Sequence, residues 1–267
     1  MIIMVKGCFM ILRGNFSSDA LRSSTNIQLL IPDHLDGPYR VVYLLHGLHG
    51  DQGTWLDNSM LPVYAKQYNA VFVLPEVGRS FFLNLQNGRR YFDYVSDELP
   101  ALCRRLFNIS SKREDTAAMG CSMGGYGSLR LGLLRPDIFG FCGAISSACL
   151  YFKPMLDGLR KDPGPYLASG QEAREVYADI KCAFGEAIEY RRECDVSELI
   201  KDFPAGKSKP KIFITCGTED SLRKENLIFR DQIKTLGFDF SYEEWSGNHE
   251  WYFFNEALRR TLEVWYS

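Results

Sequence analysis

Short apolar runs rich in β-branched residues recur along this chain, with longer stretches of helical periodicity between them. This alternation is typical of a mostly parallel sheet covered by helices, because parallel strands are buried on both faces and need crossover connections. Two early runs, at 2–12 and 26–31, are separated by a short polar stretch and predict an antiparallel hairpin. The remaining strands are predicted at 40–45, 70–74, 116–120, 141–145, 211–216 and 238–243.

Two of the intervening stretches have the spacing of an amphipathic helix. Residues 94–107 place apolar side chains three or four positions apart, and residues 222–236 do the same before Gly237, which predicts a helix stop. The segment at about 150–210 differs, because it is polar, contains five prolines and has weak helical periodicity. We therefore predict a single domain over 1–267, in which this segment is an insertion after the sixth strand, over the carboxyl edge of the sheet.

The charge balance and the cysteines exclude several classes of function. There are 31 Lys and Arg against 33 Asp and Glu, and the net charge of -2 provides no basic surface for nucleic acid. No apolar run has the length of a membrane span, and Lys6 interrupts the apolar start, so neither a membrane anchor nor a signal peptide is expected. Eight cysteines without paired spacing predict free thiols in the cytoplasm. The sequence leaves open whether copies of the chain form a homo-oligomer.

The strongest local motif is GCSMG, residues 120–124, which matches G-x-S-x-G. It follows an apolar strand and precedes a helix-compatible stretch at 125–134, the setting in which this motif forms a sharp strand-to-helix turn. A serine at such a turn has a strained backbone, so the residues two positions to either side must be small. We predict that Ser122 is a nucleophile; the alternative is a serine that only caps a helix. Cys121 cannot occupy the same exposed position and is expected in the core.

A nucleophilic serine needs a histidine base and an acid that orients this base. Where the elbow lies on a parallel sheet, the chain order is Ser, acid, His. Only His249 among the four histidines follows Ser122, and it lies in a loop after the last predicted strand. The acid is expected after the strand at 211–216, where Asp220 is favoured over Glu219. The alternative role for Asp220 is that of a helix N-cap.

Stabilisation of the oxyanion requires backbone N–H donors beside the nucleophile. One is expected from Met123, and the second from Leu48 in the glycine-rich loop at 46–51. His46 and His49 in this loop suggest a metal pair, but they lack the helical spacing of zinc motifs and a third ligand. We expect His46 to support the loop, and we expect neither a metal nor an organic cofactor.

Six segments of this chain resemble segments of the putative-esterase (esterase D-like) family of the α/β-hydrolases, and they occur in the order found in that family. The resemblance is closest to bacterial tributyrin esterases and is shared with S-formylglutathione hydrolases. The resemblance implies an α/β-hydrolase fold with Ser122, Asp220 and His249 as catalytic triad and Leu48 and Met123 as oxyanion donors. Glu76 departs from the family pattern, in which Asp or another polar residue is common. The segments are YLLHGLHGDQGTW (43–55), LPEVGRSFF (74–82), YFDYVSDELP (91–100), MGCSMGGYGSLRL (119–131), CGTEDSL (216–222) and GNHEW (247–251).

Motifs and resemblance together predict a serine carboxylesterase that cleaves small, short-chain acyl esters through an acyl-enzyme intermediate. Alternatives within the superfamily are S-formylglutathione hydrolysis, removal of acetyl or feruloyl groups from plant polysaccharide, and acyl transfer. A binding protein without catalytic activity on the same fold is the remaining alternative. Three aromatic residues near the motifs, Trp55, Tyr126 and Trp251, are expected to line a small substrate pocket, with core packing as their alternative role.

Overall fold

The structural core is a mixed sheet, seen in a computed structural model that describes residues 9–33 and 37–267. Its eight strands are β1 (Phe9–Ser18), β2 (Ser23–Pro32), β3 (Arg40–Leu45), β4 (Ala70–Pro75), β5 (Thr116–Cys121), β6 (Phe141–Ile145), β7 (Lys211–Gly217) and β8 (Phe240–Trp245). Across the sheet they follow the order β1-β2-β4-β3-β5-β6-β7-β8. β2 is antiparallel to both β1 and β4, and all other neighbours are parallel. The predicted fold class is therefore confirmed. Residues 2–8 of the first predicted run lie outside the described residues.

Helices cover both faces of this sheet. They are α1 (Thr54–Asn58), α2 (Leu61–Tyr64), α3 (Tyr91–Asp93), α4 (Leu99–Leu106), α5 (Met123–Leu134), α6 (Phe152–Lys161), α7 (Gly164–Ala168), α8 (Gln171–Phe184), α9 (Val196–Lys201), α10 (Arg223–Ile233) and α11 (Trp251–Tyr266). A π-helical turn at Tyr94–Glu98 joins α3 to α4, so the helix predicted at 94–107 begins one turn earlier.

Alternation of side chains along β3 shows how the sheet separates two buried clusters. Val41, Tyr43 and Leu45 belong to one cluster, together with side chains of α5, whereas Val42 and Leu44 belong to the other, together with side chains of α11. Successive side chains of a strand point to opposite faces, so a continuous apolar run fills both layers. Because parallel strands end at the same edge, the loops after β3, β5, β7 and β8 meet there, where α/β folds place their sites.

The β6–β7 segment, residues 146–210, contains four helices, α6 to α9. Weak periodicity and several prolines obscured them in the sequence. Pro154 lies in the first turn of α6 and Pro165 in the first turn of α7, where no intrahelical N–H bond is lost. These prolines are therefore compatible with helices. α8 is the longest of the four, with 14 residues, and it buries Ile180 and Phe184.

Other predicted features of the chain can be compared with the described residues. Cys8 lies outside them, and every other cysteine is a free thiol. Within 9–33 and 37–267, no helix combines the length and the apolar composition needed to cross a lipid bilayer.

Candidate active site

Ser122 lies at the sharp turn between β5 and α5, with φ 55° and ψ -119°. A non-glycine residue rarely adopts a positive φ, and such strain persists only where the surroundings enforce it. Here the N–H of Ser122 donates to the carbonyl of Ile145 at 2.9 Å, and its own carbonyl accepts from the N–H groups of Tyr126 and Ala148, each at 3.2 Å. The end of β6 and the first turn of α5 therefore hold the strained serine in place.

Close packing at this turn requires the glycines on either side of Ser122. A Cβ atom on Gly120 would lie 2.6 Å from the carbonyl oxygen of Leu45, and one on Gly124 would lie 2.3 Å from the same oxygen and 2.8 Å from that of His46. These neighbours are backbone atoms, which cannot rotate away. Glycine at both positions thus lets α5 begin against the end of β3.

We expect Gly124→Ala to destabilise the protein by about 1–3 kcal/mol or more, the typical cost of overpacking a core. This corresponds to a fall in Tm of roughly 2–12 °C, at about 2–4 °C per kcal/mol. Gly158→Ala is the matched control, because Gly158 is also helical and its Cβ would meet nothing within 4 Å. The control is expected to keep or slightly raise Tm. Thermal unfolding of both variants checks this, and equal Tm values would contradict the packing argument.

The Asp220–His249 pair joins the loops after β7 and β8. Nδ1 of His249 lies 2.9 Å from Oδ2 of Asp220, whose side chain is 0% exposed against 33% for His249. Burial favours a raised pKa for Asp220, but hydrogen bonds from His249 and from the N–H of Leu222 outweigh it and hold the pKa below its ordinary value. Asp220 is therefore ionised at neutral pH. With Nδ1 donating to this carboxylate, Nε2 is left as a proton acceptor.

The carboxylate of Asp220 makes two contacts. Its Oδ1 accepts the N–H of Leu222 at 2.8 Å, while Oδ2 accepts from His249. The N-cap residue of α10 is Leu222, and no side chain caps this helix, so the alternative role of Asp220 as a helix N-cap is wrong. The contact with Leu222 instead fixes the carboxylate in the loop, and the carboxylate fixes the imidazole. Glu219 has a different environment, because it is exposed and accepts from the hydroxyl of Thr218 at 2.6 Å and from the N–H of Gly247. It connects the two loops without contacting the imidazole.

A cavity of about 310 Å³ brings half of the predicted site residues together. Ser122 and His249 both line it, as do Leu48 and Trp251. The remaining lining residues come from the loops after β3 and β8, from α1, α8 and α11, and from the end of β5. They are Gly47, His49, Gly50, Thr54, Cys121, Glu172, Glu250 and Phe254.

The two predicted oxyanion donors lie at the start of α5 and in the loop after β3; Leu48 lines the cavity, and Met123 directly follows Ser122. Met123 is the first residue of α5, and N–H groups in the first turn of a helix have no intrahelical acceptor and carry partial positive charge. The loop that carries Leu48 is held by His46, whose Nδ1 donates to the carbonyl of Gly47 at 2.7 Å and whose Nε2 accepts the N–H of Val77 at 3.2 Å. Burial lowers the pKa of His46, so the ring is neutral and can donate and accept at once.

The two histidines of this loop lie in different surroundings. His46 is 1% exposed inside the protein, whereas His49 is 63% exposed and lies 3.5 Å from Oε1 of Glu172 on α8. Within the described ranges, no group of three or more His, Cys, Asp or Glu side chains is arranged to hold a metal ion. His46 thus supports the loop from inside the protein, whereas His49 lies at the surface.

Two of the predicted pocket residues are core residues instead. Tyr126 is fully buried, donates its hydroxyl to the carbonyl of Cys194 at 2.5 Å and does not line the cavity. Trp55 is also buried, donates Nε1 to the carbonyl of Leu45 at 2.9 Å and packs edge-on against Trp251 at 5.0 Å. Trp55 therefore supports the wall that Trp251 forms, and the prediction that Trp55 and Tyr126 line the pocket was wrong.

Cys121 has the buried position expected for it. Its side chain belongs to the cluster on the α11 face, and burial raises the pKa of its thiol to about 12. A thiol with so high a pKa contributes almost no thiolate at neutral pH, and the thiolate is the nucleophilic form. Of these two neighbours, Ser122 is therefore the candidate nucleophile.

Sequence reasoning missed several residues of the cavity, including Glu172, Glu250 and Phe254. Phe254 follows Trp251 by three positions, so the helical spacing of α11 offered a signal for Phe254. For Glu250 the only signal was its place directly after His249 in the chain. No comparable signal exists for Glu172, because its place depends on how α8 crosses the edge of the sheet.

Comparisons with known proteins show a family and a shared fold. The family described as putative esterase matches residues 18–263. An acetyl esterase of Caldicellulosiruptor saccharolyticus is 33% identical over 96% of this chain and 98% of its own. Among solved structures, the fluorophosphonate-binding serine hydrolase F of Staphylococcus aureus has a TM-score of 0.83 at 24% identity and covers 98% of this chain and 100% of its own. The S-formylglutathione hydrolase of the same organism has a TM-score of 0.81 at 24% identity and covers 97% and 100%. These structures share the fold.

Proposed function

Because the chain belongs to the putative esterase family, we propose that it is a serine carboxylesterase that hydrolyses short-chain acyl esters. One observation carries this proposal: a strained serine and a carboxylate-oriented histidine line the same small cavity. A nucleophile, a base and a group that orients the base are the parts that acyl transfer to serine requires. In this proposal they are Ser122, His249 and Asp220.

The reaction begins when Oγ of Ser122 attacks the acyl carbon while His249 accepts the hydroxyl proton at Nε2. The N–H groups of Leu48 and Met123 donate to the oxyanion of the tetrahedral intermediate. Collapse of this intermediate breaks the bond to the alcohol, which takes the proton from His249 and leaves, while the acyl group stays on Ser122. Water then attacks the acyl carbon with His249 again as base, and the carboxylic acid is released.

Asp220 acts through the histidine during both halves of this cycle. Its negative charge stabilises the imidazolium that forms when His249 takes a proton, and its hydrogen bond keeps Nε2 directed at the reacting atoms. The low pKa of Asp220 supports this role, because the carboxylate remains ionised throughout the neutral range.

The size of the cavity supports a short acyl chain. Its volume of about 310 Å³ is at the low end for small-molecule sites, and Trp251 and Phe254 supply bulky walls. The name of the acetyl esterase from Caldicellulosiruptor saccharolyticus agrees with this choice. As part of this proposal, the substrate preference is like that of the tributyrin esterases that the sequence resembles.

We expect kcat/KM on p-nitrophenyl esters to be highest for acyl chains of roughly two to six carbons and to fall about tenfold or more for each further methylene that the cavity excludes. Trp251→Ala should move the optimum toward longer chains, because it removes one wall. Tyr252→Ala is the matched control, since Tyr252 is the next residue of α11 but is 85% exposed and does not line the cavity. Equal kcat/KM for acetyl and dodecanoyl esters would rule out the proposed pocket.

We place the enzyme in the cytoplasm as part of this proposal. The support comes from its free cysteines, which are typical of proteins in reducing compartments. Cell fractionation with an antibody to the chain tests this placement, and recovery from the medium would oppose it.

A further inference from the structure

The rim of the catalytic cavity carries charge of one sign. Two carboxylates, those of Glu172 and Glu250, line it beside Ser122 and His249. In the part of the chain that the structure describes, no lysine or arginine lines this cavity. The other titratable side chains of the lining are His49 and the buried Cys121. A substrate entering here therefore meets two carboxylates and, among the described lining residues, no lysine or arginine.

The β6–β7 segment supplies Glu172 from a helix that is anchored to the rest of the domain. Nε of Arg79 donates to Oδ2 of Asp179 on α8 at 2.8 Å, and the N–H of Gln86 donates to the carbonyl of Cys182 at 3.1 Å. Both anchors join α8 to the residues that follow β4. The helix therefore lies in a defined place, with its first turn at the cavity.

Glu172 lies in the first turn of α8. It is the second residue of that helix, and a carboxylate in the first turn interacts favourably with the positive end of the helix dipole. Its side chain is 72% exposed and therefore accessible to a substrate at the rim. Glu250 is also exposed and directly follows His249 in the chain.

The mechanism defines which part of a substrate lies near these carboxylates. His249 returns its proton to the leaving oxygen, so the alcohol part of the ester must lie beside the imidazole. Glu250 adjoins that imidazole in sequence, and Glu172 lines the same cavity. In an acetate ester the acyl group is uncharged, so the electrostatic interaction of the substrate with these carboxylates depends on the charge of the alcohol part.

We infer that Glu172 and Glu250 make this enzyme select esters with neutral or cationic alcohols and discriminate against anionic leaving groups. This inference rests on the proposed function. It gives the β6–β7 segment a role in specificity, through Glu172. It also disfavours S-formylglutathione as a substrate, because the leaving thiol of that compound has two carboxylates against one ammonium group and is therefore a net anion.

Three acetate esters that differ in the charge of the alcohol test the inference. They are acetylcholine, neohexyl acetate, which is its uncharged carbon isostere, and the acetate ester of γ-hydroxybutyrate, which is anionic. Acetate release gives kcat/KM at low ionic strength and about pH 8, where carboxylates are ionised and protonated imidazole is disfavoured. For an ester that binds without being cleaved, Ki against p-nitrophenyl acetate replaces kcat/KM.

We expect the native enzyme to prefer the neutral to the anionic ester about 5-fold or more, the effect of a single unit charge at about 4 Å in water. Glu172→Gln should lower this neutral-to-anionic ratio about threefold, and Glu172→Lys should lower it further. The preference for acetylcholine over neohexyl acetate should also fall from the native enzyme to Glu172→Gln and again to Glu172→Lys. At about 0.5 M salt the ratios should approach those of the variants, because exposed charges are screened.

Glu189→Gln provides the matched control, since Glu189 is an exposed glutamate of the same segment that does not line the cavity. It should leave all ratios unchanged. If the native enzyme hydrolyses the esters but Glu172→Gln and Glu172→Lys keep its ratios, the inference is wrong and the proposed function stands. If neither these esters nor p-nitrophenyl acetate is hydrolysed by the native enzyme, the proposed function itself fails.

Discussion

Replacement of Ser122 by alanine is expected to lower kcat by on the order of 10⁶-fold, the loss measured for the nucleophile of subtilisin. The reason is the position of Ser122 at the turn between β5 and α5, where it lines the cavity that His249 also lines. Removal of its hydroxyl eliminates the acyl-enzyme route and leaves only what the oxyanion donors and binding provide. Turnover of p-nitrophenyl acetate in the variant measures the loss.

Ser221→Ala is the matched control for this experiment. Ser221 is an exposed serine on the neighbouring loop after β7, next to Asp220, but it does not line the catalytic cavity. The control should keep its turnover within about tenfold of the native value, and it should still react with a fluorophosphonate probe. Labelling of Ser122→Ala by the probe, or retention of more than a few per cent of its activity, would refute the mechanism.

The sequence predicted the central strands well because their environment leaves little choice. β3 and β6 have the predicted bounds, since a strand buried on both faces must be a short continuous apolar run. β8 lies two residues further along than predicted, at Phe240–Trp245. It is an edge strand with many exposed side chains, so its polar residues blur the pattern.

Chain order predicted the candidate site better than residue type did. His249 was chosen because it is the only histidine after Ser122, and the structure places it 2.9 Å from Asp220. Tyr126 and Trp55 were chosen because they lie near motifs, a criterion that does not say which way a side chain points. Tyr126 instead points into the core beneath the β6–β7 segment, where its hydroxyl finds a backbone carbonyl.

The contribution of Glu172 could not be derived from the sequence. It belongs to a helix whose position depends on tertiary contacts, such as that between Arg79 and Asp179, a hundred residues apart in the chain. Local patterns contain no information on such pairings. Local patterns likewise do not show that Trp55 on α1 packs against Trp251 on α11, because these helices are far apart in the chain.

Asp220→Asn is expected to lower kcat by about 10⁴-fold, the loss observed when the triad aspartate of a trypsin-like enzyme becomes an amide. An asparagine that turns its amide N–H toward His249 donates to Nδ1. The ring proton of His249 then lies on Nε2, so Nε2 cannot accept the proton of Ser122. The substitution also removes the negative charge that stabilises the imidazolium. Substrate binding should change less, because Asp220 does not line the cavity.

Glu219→Gln is the matched control, since it makes the same chemical change one residue earlier in the chain. Glu219 is exposed and accepts from Thr218 and Gly247, and the carbonyl oxygen of glutamine can still accept from both. Its kcat should therefore fall less than about tenfold, which is a barrier change under roughly 1.4 kcal/mol. Steady-state kinetics of both variants on one ester separate the two carboxylates. A collapse of kcat in Glu219→Gln beside a mild effect in Asp220→Asn would transfer the orienting role to Glu219, against the 2.9 Å contact between Asp220 and His249.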